Sequence, residues 1–224
     1  LPSIYKKFVL VKSKHFDENF YNNKKKLSDD IILLIDLDVG LPKIAYQLSS
    51  KFKDETGKLA SNLVNEHNKK LNDLLDNLSK TFKKKVVISI HPAYNLNKTI
   101  QRFKGKYQVI KFKTKDLIRK SFLVLFFASS SIVDAIVFKK KIISLRSDLF
   151  REKGKKYSSE LYTDRINLKI INLFDKININ GKLLVRDLNS RLKYYDKYLN
   201  KYACANLKTS SNKKIIKIIK SKYF

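Results

Sequence analysis

From residue 31 onward the chain alternates between short unbroken apolar runs and longer stretches whose apolar residues recur every three or four positions. Residues 31–37 (IILLIDL), 86–90 (VVISI) and 122–127 (FLVLFF) are the continuous runs. That is the pattern of strands covered on both faces. Residues 107–112 and 141–145 (KIISL) read as two further strands. Between them, residues 58–82 place Leu59, Leu63, Val64, Leu71, Leu74, Leu75, Leu78 and Phe82 within about half of a helical wheel. His67 falls on the same stripe, and its nearest reading is packing rather than ligation. Residues 97–103 are a weak helix or turn. Residues 114–120 are a short helix with Thr114 in a favourable capping position. Ser129, Ser130 and Ser131 open another helix that runs to about residue 138. Strand and helix in this rhythm predict βαβ units, a mostly parallel sheet and helices on both faces.

The pattern is weaker on either side. Residues 1–30 are mostly polar, with Lys24, Lys25 and Lys26 in a row, and read as a connecting surface segment. Beyond residue 146 the strands fade. Residues 155–175 look helical or irregular, and 176–181 look extended, ending in a turn. Residues 183–203 form a helix rich in tyrosine (Tyr194, Tyr195, Tyr198, Tyr202). Residues 211–223 form a basic amphipathic helix, with Ile215, Ile216, Ile218 and Ile219 opposite Lys213, Lys214, Lys217 and Lys220. The expected organisation is therefore a connecting segment over 1–30, a Rossmann-like α/β domain over 31–150 and a helical extension over 151–224.

Composition narrows the function classes. The 224 residues are 43% hydrophobic and 12% aromatic, enough for a sizeable core despite a net charge of +29. One cysteine, Cys204, excludes a disulfide framework and a cysteine-rich zinc site. No apolar run approaches the roughly 20 residues that span a bilayer, and no signal-peptide pattern opens the chain. A cytoplasmic protein is expected, with the tail helix able to rest on the inner face of the plasma membrane. The chain opens on Leu1 and holds no Met, so the expectation is a piece of a longer protein with an N-terminal half before it. Of the 49 basic residues 42 are Lys and 7 Arg, alongside abundant Asn, Ile, Tyr and Phe. That mixture fits AT-rich codons on a solvated surface as well as attraction to an anionic partner. Nucleic acid is the weaker partner, because no zinc finger, RNA-recognition or helix-turn-helix signature is legible. A basic nucleic-acid-binding module remains the alternative class.

The chemistry sits at strand ends. In an open parallel sheet, ligands bind outside the carboxyl ends of the strands. His91 follows one apolar strand, and Ser129, Ser130 and Ser131 follow another at a helix start. Unpaired backbone N–H groups, a partial positive charge and serine hydroxyls suit a phosphate there. Thr114 and Lys115 open the helix between these strands and add a third contact. Asp36 and Asp38 alternate at the end of the first strand. They read as a cleft loop, with Mg²⁺ binding the less favoured alternative.

Residues 86–92 (VVISIHP), the Thr114-Lys115 opening and residues 126–145 (FFASSSIVDAIVFKKKIISL) together resemble the nucleotide-binding half of GT-B glycosyltransferases. More narrowly they are similar to bacterial sialyltransferases and polysialyltransferases, and to capsule and lipopolysaccharide biosynthesis proteins. The glycerophosphotransferases of teichoic-acid synthesis share a similar pattern. The resemblance implies that His91 contacts the donor phosphate or ribose and that Ser129 or Ser130 binds the phosphate. It implies a nucleotide-sugar donor, CMP-sialic-acid-like above all, a glycan or lipid-linked acceptor, no metal cofactor, and a general base supplied by another half. Asp134 stands where some relatives have an acid, or pairs with a nearby Lys. Lys139, Lys140 and Lys141 stand in a turn where the family often has Pro.

Overall fold

The computed structural model describes residues 28–37, 61–147, 166–199 and Lys220. Six strands form one sheet: β1 (Ile31–Ile35), β2 (Lys85–Ile90), β3 (Gln108–Lys111), β4 (Ser121–Phe126), β5 (Lys141–Arg146) and β6 (Lys169–Asn172). Their order is β3-β2-β1-β4-β5-β6, and every neighbouring pair is parallel. Among the described residues six helices accompany them: α1 (Ser61–Phe82), α2 (Leu96–Arg102), α3 (Thr114–Lys120), α4 (Ile132–Val137), α5 (Gly181–Arg191) and α6 (Lys193–Tyr198).

The apolar runs explain this arrangement. Alternate strand residues face opposite sides of the sheet. Ile32, Leu34, Ile88, Leu123 and Leu125 pack with α1 (Leu71, Leu74, Leu75, Leu78) and α5 (Leu184, Leu188). Leu33, Ile35, Val87, Val124 and Phe126 pack with α3, α4 and α6 on the other face. Each such side chain, fully buried, contributes roughly 1.5–3 kcal/mol. A run that is polar on one face could not satisfy both layers. The result is a Rossmann-like α/β unit.

Two features differ from expectation. The sheet does not stop at β5: Lys169–Asn172 pairs with it as a sixth strand, in a stretch that read as helical or irregular. The tyrosine-rich helix breaks at Leu192 into α5 and α6. Tyr195 is fully buried, and its hydroxyl donates to the Lys140 carbonyl at 3.1 Å. The basic tail helix, apart from Lys220, lies outside the described residues, as do residues 1–27, Asp38, His15 and Cys204.

The Lys139–Lys140–Lys141 turn is more than a charged surface. Lys140 is 5% exposed and donates from Nζ to the Ser28 carbonyl at 2.7 Å and to Asp29 at 3.3 Å. Burial lowers its pKa, partly offset by Asp29. Lys139, at positive φ, pairs with Asp196 of α6. The turn thus fastens the segment before β1 and the last described helix to the same side of the sheet.

Candidate functional site

The chain reverses its spatial order between β1 and β4, and a crevice opens at the carboxyl ends on either side of such a point. Register fixes which residues reach it. Ile35 of β1 lies level with Ser89 of β2 and with Phe126 of β4. His91 stands two residues past Ser89, and Ser129 three past Phe126. They occupy one edge of the sheet, astride β1. With strands roughly 4.8 Å apart, their strand ends are about 10 Å apart.

His91 is exposed. The Ala93 N–H donates to its Nδ1 at 3.2 Å, and its ring lies 5.5 Å from that of Tyr94. An acceptor Nδ1 puts the hydrogen of the neutral ring on Nε2. His91 therefore presents an N–H donor at the strand end, held by its own turn. Lys111 Nζ donates to the Pro92 carbonyl at 3.2 Å and ties the end of β3 to that turn.

The serine turn is tight, and against expectation the backbone N–H groups of residues 131–134 at this helix start are already engaged within the turn. Ser129, Ser130 and Ser131 accept from the N–H groups of Ile132, Val133 and Asp134 through their carbonyls. Ser129 Oγ accepts from Ser131 N at 3.2 Å, and Ser131, at the N-cap of α4, makes no side-chain cap bond. Ser130 is exposed. Asp134 is 4% exposed, inside the first turn of α4.

Thr114 corrects one detail of the sequence reading. The N-cap of α3 is Lys113, and no side chain caps the helix. Thr114 Oγ1 instead shares a 2.6 Å hydrogen bond with Ser89 Oγ of β2. Its hydroxyl fastens α3 to the sheet. Lys115 is half-buried beside it.

Four residues emerge here that the pattern of the sequence did not single out for the site: Arg102, Ser89, Ser147 and Phe112. Arg102, at the end of α2, pairs with Asp36, whose side chain is fully buried. Asp36 thus closes the end of β1 with a buried ion pair. Its N–H also donates to the Ser89 carbonyl at 2.9 Å. Among the described residues no three His, Cys, Asp or Glu side chains gather as a metal cluster. His67 is buried, as its place on the helical stripe implied. It is also tied to Ser147, just past β5, by a 2.9 Å Nδ1–Oγ hydrogen bond, with its ring 5.5 Å from Phe127. Burial first, and then the Arg102 charge, push its pKa down to about 3. Arg102–Asp36, Ser89–Thr114 and His67–Ser147 thus form a polar layer just beneath the carboxyl edge.

Phe112 is the fourth. It follows β3, is 78% exposed and sits at φ +61°. A bulky residue in the left-handed region is uncommon and strained. The only sequence signal was an aromatic residue at a strand end.

The fold and this edge define a Rossmann-like α/β protein with its polar groups gathered at the topological switch point. No model of a known protein family matches the chain, and no curated protein does. Solved structures do share its outline. One is the Methanocaldococcus jannaschii UDP-GlcNAc 2-epimerase in complex with UDP-GlcNAc and UDP, at 16% identity and a TM-score of 0.46 over 96% of this chain and 54% of that one. Another is S. aureus MnaA with UDP, at 13% identity and a TM-score of 0.49 over 97% and 55%. A third is the wall teichoic acid polymerase TagF, at 14% identity and a TM-score of 0.46 over 92% and 47%. The chain spans about half the length of these proteins. Among the described residues no helix is long and apolar enough to cross a membrane.

Proposed function

We propose that this edge binds the nucleotide part of an activated sugar, and that the chain is the donor-binding half of a GT-B-type glycosyltransferase of surface-polysaccharide synthesis. The observation that carries the reading is the His91 turn. A backbone N–H fixes Nδ1 as acceptor and leaves Nε2–H as a donor, beside β1 from the exposed serine turn. The strand ends that carry the sequence motifs resembling GT-B enzymes lie on the same side of the sheet, those before His91 and Ser129 about 10 Å apart, which supports the reading.

In this reading the donor phosphate lies between His91 and the Ser129–Ser130 turn, and Lys115 adds positive charge. The acceptor hydroxyl attacks the anomeric carbon. The anomeric C–O bond to phosphate breaks, and the nucleotide leaves with the bonding pair. Fixed hydrogen-bond donors offset its growing charge without a metal. The hydroxyl proton passes to a base supplied by the other half. A CMP-sialic-acid-like donor is the favoured one. A nucleotide-linked glycerophosphate, as in teichoic-acid synthesis, is the second, and the same phosphate site serves both. Phe112 is the stacking platform for the base, since exposure of an aromatic ring held at a strained φ marks a contact surface. The lysine-rich stretch 211–223, whose sequence reads as a basic amphipathic helix, would favour the anionic inner face of the membrane, near a lipid-linked acceptor.

Calorimetric titration with CMP-, UDP- and CDP-linked donors tests this. One nucleotide class binds the unaltered chain. Ser130→Ala weakens it about fivefold, the loss of one net hydrogen bond. Phe112→Gly weakens it about tenfold, because base stacking is worth roughly 1–3 kcal/mol. The same glycine raises stability by about 1 kcal/mol through relief of the left-handed backbone. No binding by any class, or equal binding by both variants, removes the assignment.

A further inference from the structure

A groove of about 590 Å³ lies between α1 and α2, walled by polar side chains from both helices. α1 lines it with amides at spacings of three and four, Asn65, Asn68 and Asn72, with Asp73 beside the last. Such spacing puts them on one helix face. Gln101 lines it from α2. At its base Phe103 is 1% exposed, and the Arg102 guanidinium lies 4.5 Å from the centre of that ring. Two further lining residues are engaged with each other, since Lys106 hydrogen-bonds Asp76, which also accepts from the Tyr107 hydroxyl.

Its composition selects a ligand class. Phe103 is the one apolar residue among those that line the groove, and it is buried, so the carbon surface there comes from the stems of polar side chains. An amide side chain both donates and accepts, and a carboxylate accepts. A sugar hydroxyl does both, so the exposed amides of Asn65 and Gln101, beside the Asp73 carboxylate, match hydroxyls, while Asn72 Nδ2 donates to the Asn68 carbonyl within α1. A solvated helix face is convex, whereas this one is half of a concave channel. Charge adds a second constraint. Arg102 and Lys106 are engaged by Asp36 and Asp76. Lys69 and Lys104 also line the groove, in no ion pair among the described residues, against the single carboxylate of Asp73. Arg102 belongs both to this groove and to the buried pair at the end of β1, so the channel leads away from the carboxyl edge.

We infer that the α1/α2 groove binds an acid-bearing oligosaccharide, the part of a glycan that lies beyond the reacting end. This deepens the transferase reading and rests on it for the glycan's role as acceptor. The test is an NMR titration of the ¹⁵N-labelled 224-residue chain with a galacturonate tetrasaccharide, with maltotetraose as the neutral comparison. Resonances of α1 and α2 shift with galacturonate at lower concentration than with maltotetraose. Asn65→Ala and Gln101→Ala, both at exposed positions, each weaken binding about fivefold. Absence of shifts in α1 and α2, preference for the neutral sugar, or unchanged binding in both variants overturns the inference. A chain that binds nucleotide but no tetrasaccharide loses the groove alone. One that binds tetrasaccharide in the groove but no nucleotide keeps the groove and loses the transferase reading.

Discussion

Asp36→Ala is expected to lower the unfolding free energy by about 3–5 kcal/mol, as removal of one partner from a buried ion pair does. The Asp36 side chain has no exposure and that of Arg102 only 9%. Alanine leaves the guanidinium desolvated against Phe103 with its carboxylate gone. The pair itself need not stabilise much, since two charges lose hydration on burial. The asymmetry gives the test its edge. Asp36→Ala combined with Arg102→Leu recovers most of the loss, because no charge is then stranded. Urea unfolding of the two single variants and the double variant measures the coupling, with the slope unchanged. Single losses below about 1 kcal/mol would place the pair in water and remove the seal beneath the crevice.

The second large effect is a pH dependence from His67. Its folded pKa, about 3, lies below the ordinary value of 6.5. The unfolded chain therefore takes up a proton near 6.5 that the folded chain refuses. Stability from this group is complete above pH 6.5 and falls as pH drops toward 3. Each unit costs about 1.4 kcal/mol, so between pH 6.5 and 4.5 the loss is roughly 2–3 kcal/mol. The carboxyls of Asp76 and Asp187 are held below their ordinary value: burial raises both, but hydrogen bonds and charge from Lys106 and Tyr107 at Asp76, and from Arg191 and Lys169 at Asp187, outweigh it. Urea unfolding across the window shows the slope in the unaltered chain, and His67→Gln flattens it. A flat profile in the unaltered chain would mean that water reaches the imidazole.

These two buried groups mark where the sequence stops informing. The strands at 86–90 and 122–126 were legible because both faces are covered, which leaves an unbroken apolar run. β6 was not, since KIIN is short, lies at the sheet's edge and is half-buried. The break at Leu192 carries no Gly or Pro, and that residue keeps right-handed helical angles. Thr114 looked like a cap by its position alone. Its partner Ser89 stands 25 residues earlier, and only the βαβ crossover brings them together. The stripe on α1 announced that His67 is buried. It carried no trace of Ser147, 80 residues away. Arg102 and Asp36 are 66 residues apart, and nothing local joins them. His91 and the serines were legible because strand ends in a parallel sheet are decided by the apolar runs before them. The lysine background also concealed a particular residue: Lys140 is a buried tie between segments rather than part of a solvated face.

The central claim is that the carboxyl edge between β2 and β4 holds a nucleotide phosphate. The most direct measurement is an NMR titration of the labelled chain with the free nucleotides CMP, UDP and CDP, carrying no sugar or glycerol, at about physiological salt. One of them is expected to shift the amides of His91, Ala93 and Tyr94 and of residues 112–115 and 128–132 together, with a common saturation point. His91→Ala is expected to weaken that binding about tenfold, since hydrogen bonds to charged groups are worth roughly 1.5–3 kcal/mol. Shifts scattered over the lysine-rich surface and abolished by modest salt, with none at the strand ends, would contradict the account.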